Sequence, residues 1–257
     1  MAAVPAVSRA AELTWPEMKA LAEAGAIALL PVGSTEAHGP HLPLNVDVVI
    51  AEEVCRRTAL RLEAEGRRVV VFPPITYGLT EFAASFAGTV SVAAEVTTRY
   101  VQEVLVGIAR HGFSRIGVIN HHVEPAHFKV VHEAAKAAAA QSGAEIIVPD
   151  HRRRPFVESL GREFTSGGSH AGTYETSLML AAAPHLVRED IRRALPDLEI
   201  DLPGRIKAGA KDFHECGGTD AYFGAPARAT AEEGHHLYDL LADFSARALR
   251  SLLHGSR

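Results

Sequence analysis

The chain is poor in cysteine: its 257 residues include only Cys55 and Cys216. The two cysteines lie far apart, form no CxxC pair and stand in no sequence context typical of a cysteine nucleophile. This argues against a disulfide framework and favours a reduced, cytoplasmic setting with two free thiols. The GxSxG pattern of serine hydrolases and the phosphate-binding loop pattern are also absent.

Long apolar runs and a surplus of basic residues are missing as well. No stretch of about 18 apolar residues is present, so we expect no membrane span. The N-terminal residues lack the basic and apolar regions of a secretory signal. The net charge is −5, whereas a nucleic-acid surface needs a basic patch, so we expect no nucleic-acid partner. The one tight basic run, Arg152–Arg154, is typical of a solvated loop.

The sequence does show a regular alternation of strand and helix patterns. Apolar runs predict buried strands at 26–34, 113–120 and 144–150, and a further strand that runs into a loop within 67–78. Amphipathic or alanine-rich stretches predict helices at 48–66, 92–112 and 125–143. This order predicts a single α/β domain over 1–257, with a mostly parallel central sheet and helices on both sides.

Fourteen histidines is a high count for this length, and several of them directly follow predicted strands. In parallel α/β sheets, ligands bind in the crevice at the carboxyl ends of the strands. The segments "GSTEAHGPH" and "NHHVE" occupy this position and are the richest in potential metal ligands. We therefore expect the functional site there.

The first of these segments continues as "STEAHGPHLPLNVD". Glu36 and His38 are two residues apart, so in extended chain their side chains point to the same side. Asp47 lies where the next helix pattern is about to begin, and it could also be the N-cap of that helix. Each residue alone is more simply explained as a surface or loop residue, but the set favours metal binding. His41 belongs to the same motif and has no assigned role.

The second segment, "INHHVEPAH", repeats this spacing with His122 and Glu124. The two carboxylate–imidazole pairs and Asp47 form a ligand set for two divalent cations, and a water held between the cations would be a nucleophile near neutral pH. Nitrogen and oxygen ligands without a thiolate suit Zn²⁺ or Mn²⁺ and do not distinguish between them. His121 and His127 are better explained by supporting or surface roles.

The third segment, "GGSHAGTYETSLML", allows two interpretations. Gly167 and Gly168 would give a flexible approach to His170, which could donate a proton to a leaving group near the metals. Alternatively, the segment is simply a helix N-terminus, with Glu175 in the first turn, where the helix dipole favours a carboxylate. Spacing alone leaves both open.

Together these segments resemble the creatininase (creatinine amidohydrolase) family. The family pattern is roughly P-x-G-S-x-E-x-H-G-x-H-x-P-L-x-x-D, then N-G-H-x-E-N, then H-x-x-x-x-E-T-S. This chain has "PVGSTEAHGPHLPLNVD", "NHHVEP" and "HAGTYETSLML" in the same order. "SFAGTVSV" and "GAPARATAEEG" also look like family segments, so the similarity spans residues 31–234.

The resemblance implies a three-layer α/β/α fold, a small-molecule substrate and a homo-oligomer, commonly a hexamer. It implies that Glu36 and His122 bind one metal ion and that Asp47 bridges to a second. His38 and Glu124 would bind that second ion.

The same resemblance implies a catalytic role for the third segment. His170 corresponds to the acid/base that protonates the leaving group, and Glu175 to the residue that supports it. The expected reaction is attack of a metal-bridging water on an amide carbonyl.

The chain departs from the family pattern at His121, which replaces a glycine, and at Pro125, which replaces an asparagine. Creatinine-degrading members place tryptophans around the substrate, whereas the only tryptophan here, Trp15, lies outside the motifs. Arg152–Arg154 stands in the expected aromatic position. We therefore expect a small cyclic or linear amide other than creatinine, with an anionic or polyhydroxylated character. The alternatives are ring opening of an oxidised sugar or inositol derivative, peptide processing, and a non-catalytic, metal-stabilised binding protein.

Overall fold

The computed structural model describes residues 7–166 and 169–251. Within these residues, five strands form one sheet in the order β1–β3–β2–β4–β5, and all neighbouring strands are parallel. The strands are β1 (Ser8–Arg9), β2 (Ile27–Val32), β3 (Val69–Val71), β4 (Arg115–Asn120) and β5 (Glu145–Ile147). Gly167 and Gly168, the predicted flexible approach, lie outside the described residues, and the single domain over 1–257 stays a prediction.

The α-helices of the described residues cover both faces of the sheet. They are α1 (Trp15–Glu23), α2 (Val46–Ala64), α3 (Ala94–Arg110), α4 (Pro125–Ser142), α5 (Arg162–Ser166), α6 (Thr173–Ala182), α7 (Glu189–Ala194), α8 (Leu202–Lys207), α9 (Phe213–Cys216) and α10 (Ala231–Arg250). None of them, in the part of the chain described, combines the length and hydrophobicity needed to cross a bilayer.

Alternating residues of β2 show how the two helical layers are held. Ile27 and Leu29 belong to a hydrophobic core shared with α2, α6 and α10. Ala28 and Leu30 point the other way, into a second core shared with α3 and α4. Successive side chains of a strand alternate between faces, so a strand that is apolar at every position needs cover on both sides. This confirms the predicted three-layer α/β/α fold with a parallel sheet.

Two predicted boundaries differ from the structure for local reasons. The predicted strand 67–78 ends at Val71, because Pro73 and Pro74 follow and proline cannot donate to a sheet ladder. The helix predicted from residue 48 begins at Val46, with Asn45 at the N-cap position. The interpretation of Asp47 as the N-cap is therefore wrong, since Asp47 lies inside the first helical turn.

The strand order brings two loops together at one edge of the sheet. The chain passes from β2 to β3 on one side and then returns to place β4 on the other side of β2. The last residues of the two strands, Val32 and Asn120, are paired in register. The loops that follow β2 and β4 therefore begin side by side, at the point where ligands bind in parallel α/β sheets.

Candidate metal centre

Histidine and carboxylate side chains converge where β2 and β4 end. Among the described residues they form three groups that could hold a metal ion: Glu36–Asp47–His122, His38–Asp47–Glu175 and Glu36–His38–His170. In each group the potential ligand atoms lie within 4.8 Å of one another. All six side chains are buried. The structure thus brings together six of the seven predicted site residues.

Gly33 allows the first turn of α2 to approach the loop after β2. A Cβ atom at this position would lie 2.7 Å from the backbone nitrogen of Val48 and 2.9 Å from Cβ of Asp47. These separations are shorter than van der Waals contact, so any side chain would push the start of the helix away. The glycine therefore sets the position of Asp47 relative to the other carboxylates.

In the first group, one nitrogen of His122 faces two carboxylates. Its Nδ1 lies 3.0 Å from Asp47 Oδ2 and 3.2 Å from Glu36 Oε1. Its Nε2 lies 3.0 Å from the backbone carbonyl of Leu79. The carbonyl can only accept, so Nε2 donates the hydrogen bond, and Nδ1 is directed at the carboxylates. Such a hydrogen bond on the far nitrogen is how proteins orient a histidine that binds a metal.

The second group has the same design, with the nitrogens exchanged. His38 Nε2 lies 3.4 Å from both Asp47 Oδ1 and Glu175 Oε2, while Nδ1 donates to the backbone carbonyl of Glu36 at 3.1 Å. Within the described residues, His38 Nε2 and Asp47 Oδ2 are buried, and none of their contacts in the cluster, including the one from His122 Nδ1, has the geometry of a hydrogen bond. Buried polar atoms are normally satisfied. A divalent cation bound among these groups would satisfy both atoms, so the residues fit a metal.

His170 reaches the cluster from the segment before α6. Its Nε2 donates to the backbone carbonyl of Ala37 at 3.0 Å, and its Nδ1 lies 3.8 Å from Glu36 Oε1. The next residue, Ala171, has a left-handed backbone with φ of 52°, which residues with a side chain rarely adopt. Its N–H donates to Glu175 Oε2 at 2.7 Å. Glu175 thus holds the strained turn that presents His170.

Glu124 is the one predicted site residue that stands outside these groups, and its role as a ligand stays a prediction. It belongs to none of the three groups found among the described residues. Its carboxylate oxygens accept the backbone N–H groups of Glu81 and Phe82, each at 3.3 Å. It nevertheless lines the same cavity as the cluster. In the second group, the glutamate beside His38 is Glu175, at 3.4 Å.

Two contributions were not predicted from the sequence. Glu175 was expected in the first turn of a helix, where it does lie, and as support for His170, but not as a member of a metal-ligand group with His38 and Asp47. Thr80 donates a hydrogen bond to Glu36 Oε2, which fixes that carboxylate from the loop after β3. A buried glutamate five residues after a candidate histidine, next to an apolar helix, is the signal that could have identified Glu175.

Two other histidines of the motif segments make structural contacts. His127 Nδ1 accepts the N–H of Leu79 at 3.3 Å, and its Nε2 lies 3.1 Å from Asn120 Oδ1. His41 Nε2 lies 3.0 Å from Thr176 Oγ1. His127 therefore supports the loop after β3, and His41 ties the loop after β2 to α6.

Opposite charges set the pKa values of Glu36 and His38. Burial disfavours the charged form of Glu36, but the His122 imidazole outweighs this and lowers the pKa of Glu36 to about 2. Burial likewise disfavours a charged His38, yet Glu175 and Asp47 raise its pKa to about 10. Burial prevails at two other members, raising the pKa of Glu175 to about 8 and lowering the pKa of His170 to about 4. Without a metal, His38 is therefore protonated next to the ionised carboxylates of Glu36 and Asp47, whose pKa values are lowered.

We expect metal binding to become tighter as the pH rises. Because the pKa of His38 is raised, its proton stays bound at neutral pH and must leave before Nε2 can bind a cation. The affinity should increase about tenfold per pH unit for each proton displaced. Calorimetric titration of Zn²⁺ into metal-free protein, in buffers of different ionisation enthalpy, measures both the affinity and the protons released. An affinity that stays constant from about pH 6 to about pH 8 would contradict this expectation.

The fold and the cluster together define a class of protein. Buried imidazoles and carboxylates converge at the carboxyl ends of parallel strands, with two polar atoms that lack partners among the described residues. These features are typical of metal-binding α/β proteins.

The chain belongs to the creatininase family, as predicted. The family model described as creatinine amidohydrolase matches residues 11–249. Creatinine amidohydrolase of Pseudomonas putida is 35% identical over 195 residues, which is 70% of this chain and 73% of the relative. Mycofactocin precursor peptide peptidase of Mycobacterium ulcerans is 32% identical over 237 residues, which is 90% of this chain and 83% of the relative.

Solved creatininase structures have the same fold. A creatininase variant complexed with creatine has a TM-score of 0.79 at 26% identity, over 97% of this chain and 100% of that chain. Creatininases in a Zn–Zn form and a Mn form each have a TM-score of 0.77 and cover 97% of this chain and 99% and 100% of those chains, at 26% and 27% identity. These relatives are hydrolases, which supports hydrolase activity here. The metals they hold fit the buried imidazole–carboxylate groups.

Proposed function

We propose that the chain is a binuclear metal-dependent hydrolase that acts on a small cyclic or linear amide. The observation that carries this proposal is the position of Asp47. Its Oδ2 faces His122 at 3.0 Å, and its Oδ1 faces His38 at 3.4 Å. A carboxylate shared in this way can bridge two cations.

In this proposal each ion has its own imidazole and its own glutamate. Glu36 and His122 would hold the first ion, His38 and Glu175 would hold the second, and Asp47 would contribute to both. Two divalent ions, Zn²⁺ or Mn²⁺, suit this set of nitrogen and oxygen ligands. When bound, the ions would supply Lewis acidity and an activated water for attack on the amide carbonyl.

His170 is the residue that would move the proton. The hydrogen bond from Nε2 to Ala37 fixes the imidazole ring, so that Nδ1 faces Glu36 in the wall of the cavity. An imidazole held in this orientation can accept a proton at Nδ1 and return it to the leaving nitrogen. Glu175 contributes by holding the N–H of Ala171, and with it the turn that carries His170.

We expect Glu175→Gln to lose one bound ion and Glu124→Gln to keep both. Glu175 faces His38 in a ligand group, whereas the Glu124 oxygens already accept two backbone N–H groups. Glutamine at 124 keeps one acceptor oxygen for these contacts. Metal content after dialysis, measured by plasma mass spectrometry, compares the two variants directly. The opposite result would restore the family-derived assignment of Glu124 as the ligand.

Hydrolysis assays with the metal-loaded protein test the proposal as a whole. The panel contains linear and cyclic amides, oxidised sugar and inositol derivatives, and short peptides. Amide turnover that stops when a chelator is added supports the proposal. Turnover of only the ring compounds or only the peptides would select one of those alternatives instead. Bound metal without turnover of any member would favour a non-catalytic binding protein.

We also propose a homo-oligomer, on the basis of family membership, in a cytoplasmic setting that suits the two free cysteines. A hexamer is the state that the family resemblance implies. Size-exclusion chromatography with light scattering on the purified protein measures this directly, and a monomer at working concentration would contradict it.

A further inference from the structure

A cavity of about 520 Å³ extends from the ligand cluster towards the surface. Its lining includes Glu36, Asp47, His122 and Glu175 at the cluster, together with His170. Cavities of this size accommodate a drug-sized molecule. The space is therefore larger than a single amide bond requires, and the substrate has a further part that lies beyond the reacting carbonyl.

The cavity wall beyond the cluster is largely apolar. It is formed by Phe82, Val157, Phe164, Leu202, Ile206 and Phe213. Trp15, the only tryptophan of the chain, is 78% exposed and does not line this cavity. It therefore cannot stack on a small ring bound there. Concave apolar walls of this kind bind the hydrophobic or aromatic body of a ligand.

Three cationic residues line the same cavity: Arg152, Arg154 and Lys207. Lys207 is exposed and has no ion-pair partner within the described residues. Arg154 pairs with Glu158 at 3.4 Å, but its side chain is 84% exposed, and such surface pairs contribute little. Two positive charges therefore remain available to a ligand.

Arg152 is held in place more firmly than a solvated loop residue would be. Asp150 accepts from its Nε at 2.9 Å and from its Nη2 at 3.2 Å. Its guanidinium carbon lies 3.4 Å from the centre of the Phe128 ring. The preceding residue, His151, stacks on His121, with the ring centres 5.4 Å apart. His121 directly precedes His122, which belongs to the cluster. The loop that carries Arg152 is thus anchored to the segment that carries His122, and Arg152 faces the same cavity.

The balance of charge in the cavity favours an anion. Its lining contains four carboxylates, those of Glu36, Asp47, Glu124 and Glu175. In the metal-loaded protein, two divalent cations match the charge of four carboxylates. Further out, Lys207 then has no ion-pair partner within the described residues and Arg154 has only an exposed one, so this part of the cavity is positively charged and attracts ligands of the opposite sign.

We propose, on the basis of the proposed hydrolase function, that the substrate is an amide carrying a carboxylate on an apolar or aromatic body, as in an N-acyl amino acid. Arg154 and Lys207 would bind the carboxylate, since charge-assisted hydrogen bonds from such groups are strong. The apolar body would lie against the apolar cavity wall that includes Phe82, Phe164 and Phe213. The amide carbonyl would then face the cluster. Hydrolysis adds water across the C–N bond and yields a carboxylic acid and an amine.

Matched pairs of probes test this assignment. The probes are N-benzoylglycine, N-benzoyl-β-alanine and N-benzoyl-4-aminobutyrate, and each is compared with its neutral carboxamide. The three compounds differ in the distance between the amide and the carboxylate. We expect at least one carboxylate to bind Zn²⁺-loaded protein about tenfold more tightly than its carboxamide, by calorimetry. A parallel assay of amine release records turnover.

The deciding measurement compares two altered proteins, because a carboxylate can also bind a metal ion directly. The double substitution Arg154→Gln with Lys207→Gln should remove the preference for the carboxylate. Arg153→Gln is the matched control, since Arg153 lies in the same loop, pairs with Asp150 and does not line the cavity. This control should keep the preference.

Three results would overturn the proposal. They are equal or tighter binding of the carboxamides by the unaltered protein, a carboxylate preference that survives the double substitution, and no saturable binding of any probe. A preference lost only in the double variant supports the carboxylate site. If that occurs without turnover of any amide, the result counts against the hydrolase function and not against the site.

Discussion

Asp47→Asn is expected to remove both metal ions and to abolish turnover. Each carboxylate oxygen of Asp47 faces a different imidazole, that of His122 at 3.0 Å and that of His38 at 3.4 Å. An asparagine keeps the shape but offers a single neutral oxygen and no negative charge. Neither ion then has a full ligand set, and the charge that offsets their mutual repulsion is lost.

The expected size of this effect is large. Metal-ion catalysis contributes several kcal/mol to a hydrolytic step, so turnover should fall by about 10³-fold or more. Plasma mass spectrometry measures the metal content, and a hydrolysis assay measures the rate. Glu63→Gln is a matched control, since Glu63 lies on the same helix, far from the cluster. Full metal content and normal turnover in Asp47→Asn would refute the binuclear site.

His170→Ala is expected to reduce turnover strongly while both ions stay bound. The imidazole stacks on His38 at 4.4 Å and packs against Phe213 at 4.4 Å, so its orientation is fixed before a substrate enters. Removal of a positioned acid/base group costs about 10²- to 10⁴-fold in rate. The limb of the pH–rate profile that reports this group should disappear with it.

A control separates this role from a general structural one. His214→Ala removes an exposed histidine that stacks on Phe86 and does not line the cavity, and it should leave turnover and metal content unchanged. If His170→Ala instead loses an ion, His170 is a ligand in its group with Glu36 and His38. Unaltered turnover of a true substrate would remove it from the mechanism.

Much of the candidate site could be predicted because its residues lie where strands end. Glu36 and His38 follow β2 directly, and His122 follows β4, so a parallel sheet brings them to one edge whatever the details of the loops. The apolar runs that predict these strands are strong local signals. Local sequence signals were therefore enough to predict that these residues lie close together.

The choice between Glu124 and Glu175 could not be made in this way. Both are carboxylates close to a candidate histidine, and both belong to family motifs. Glu124 turns towards the backbone of residues 81 and 82, whereas the first turn of α6 brings Glu175 to 3.4 Å from His38. That difference depends on how a helix far along the chain packs against the loop after β2.

Arg152 likewise shows that the lining of the cavity could not be predicted from the sequence. Its sequence neighbourhood is typical of a solvated loop, yet the structure places its guanidinium over the Phe128 ring. The sequence did not indicate a role for Lys207, because nothing near it forms a motif. Both line one cavity with Glu36 only because α8 and the 150–156 segment fold over the carboxyl edge of the sheet.

The sequence by itself determined the parallel α/β/α fold, the family and most of the metal-ligand candidates. Hydrophobic periodicity and motif spacing are properties of short segments, and they are present before the chain folds. Only the tertiary structure decided which glutamate stands beside His38, how Gly33 sets the position of Asp47, and which cations share a cavity with the cluster. Those outcomes depend on distances between segments that are remote in the chain, and packing alone fixes such distances.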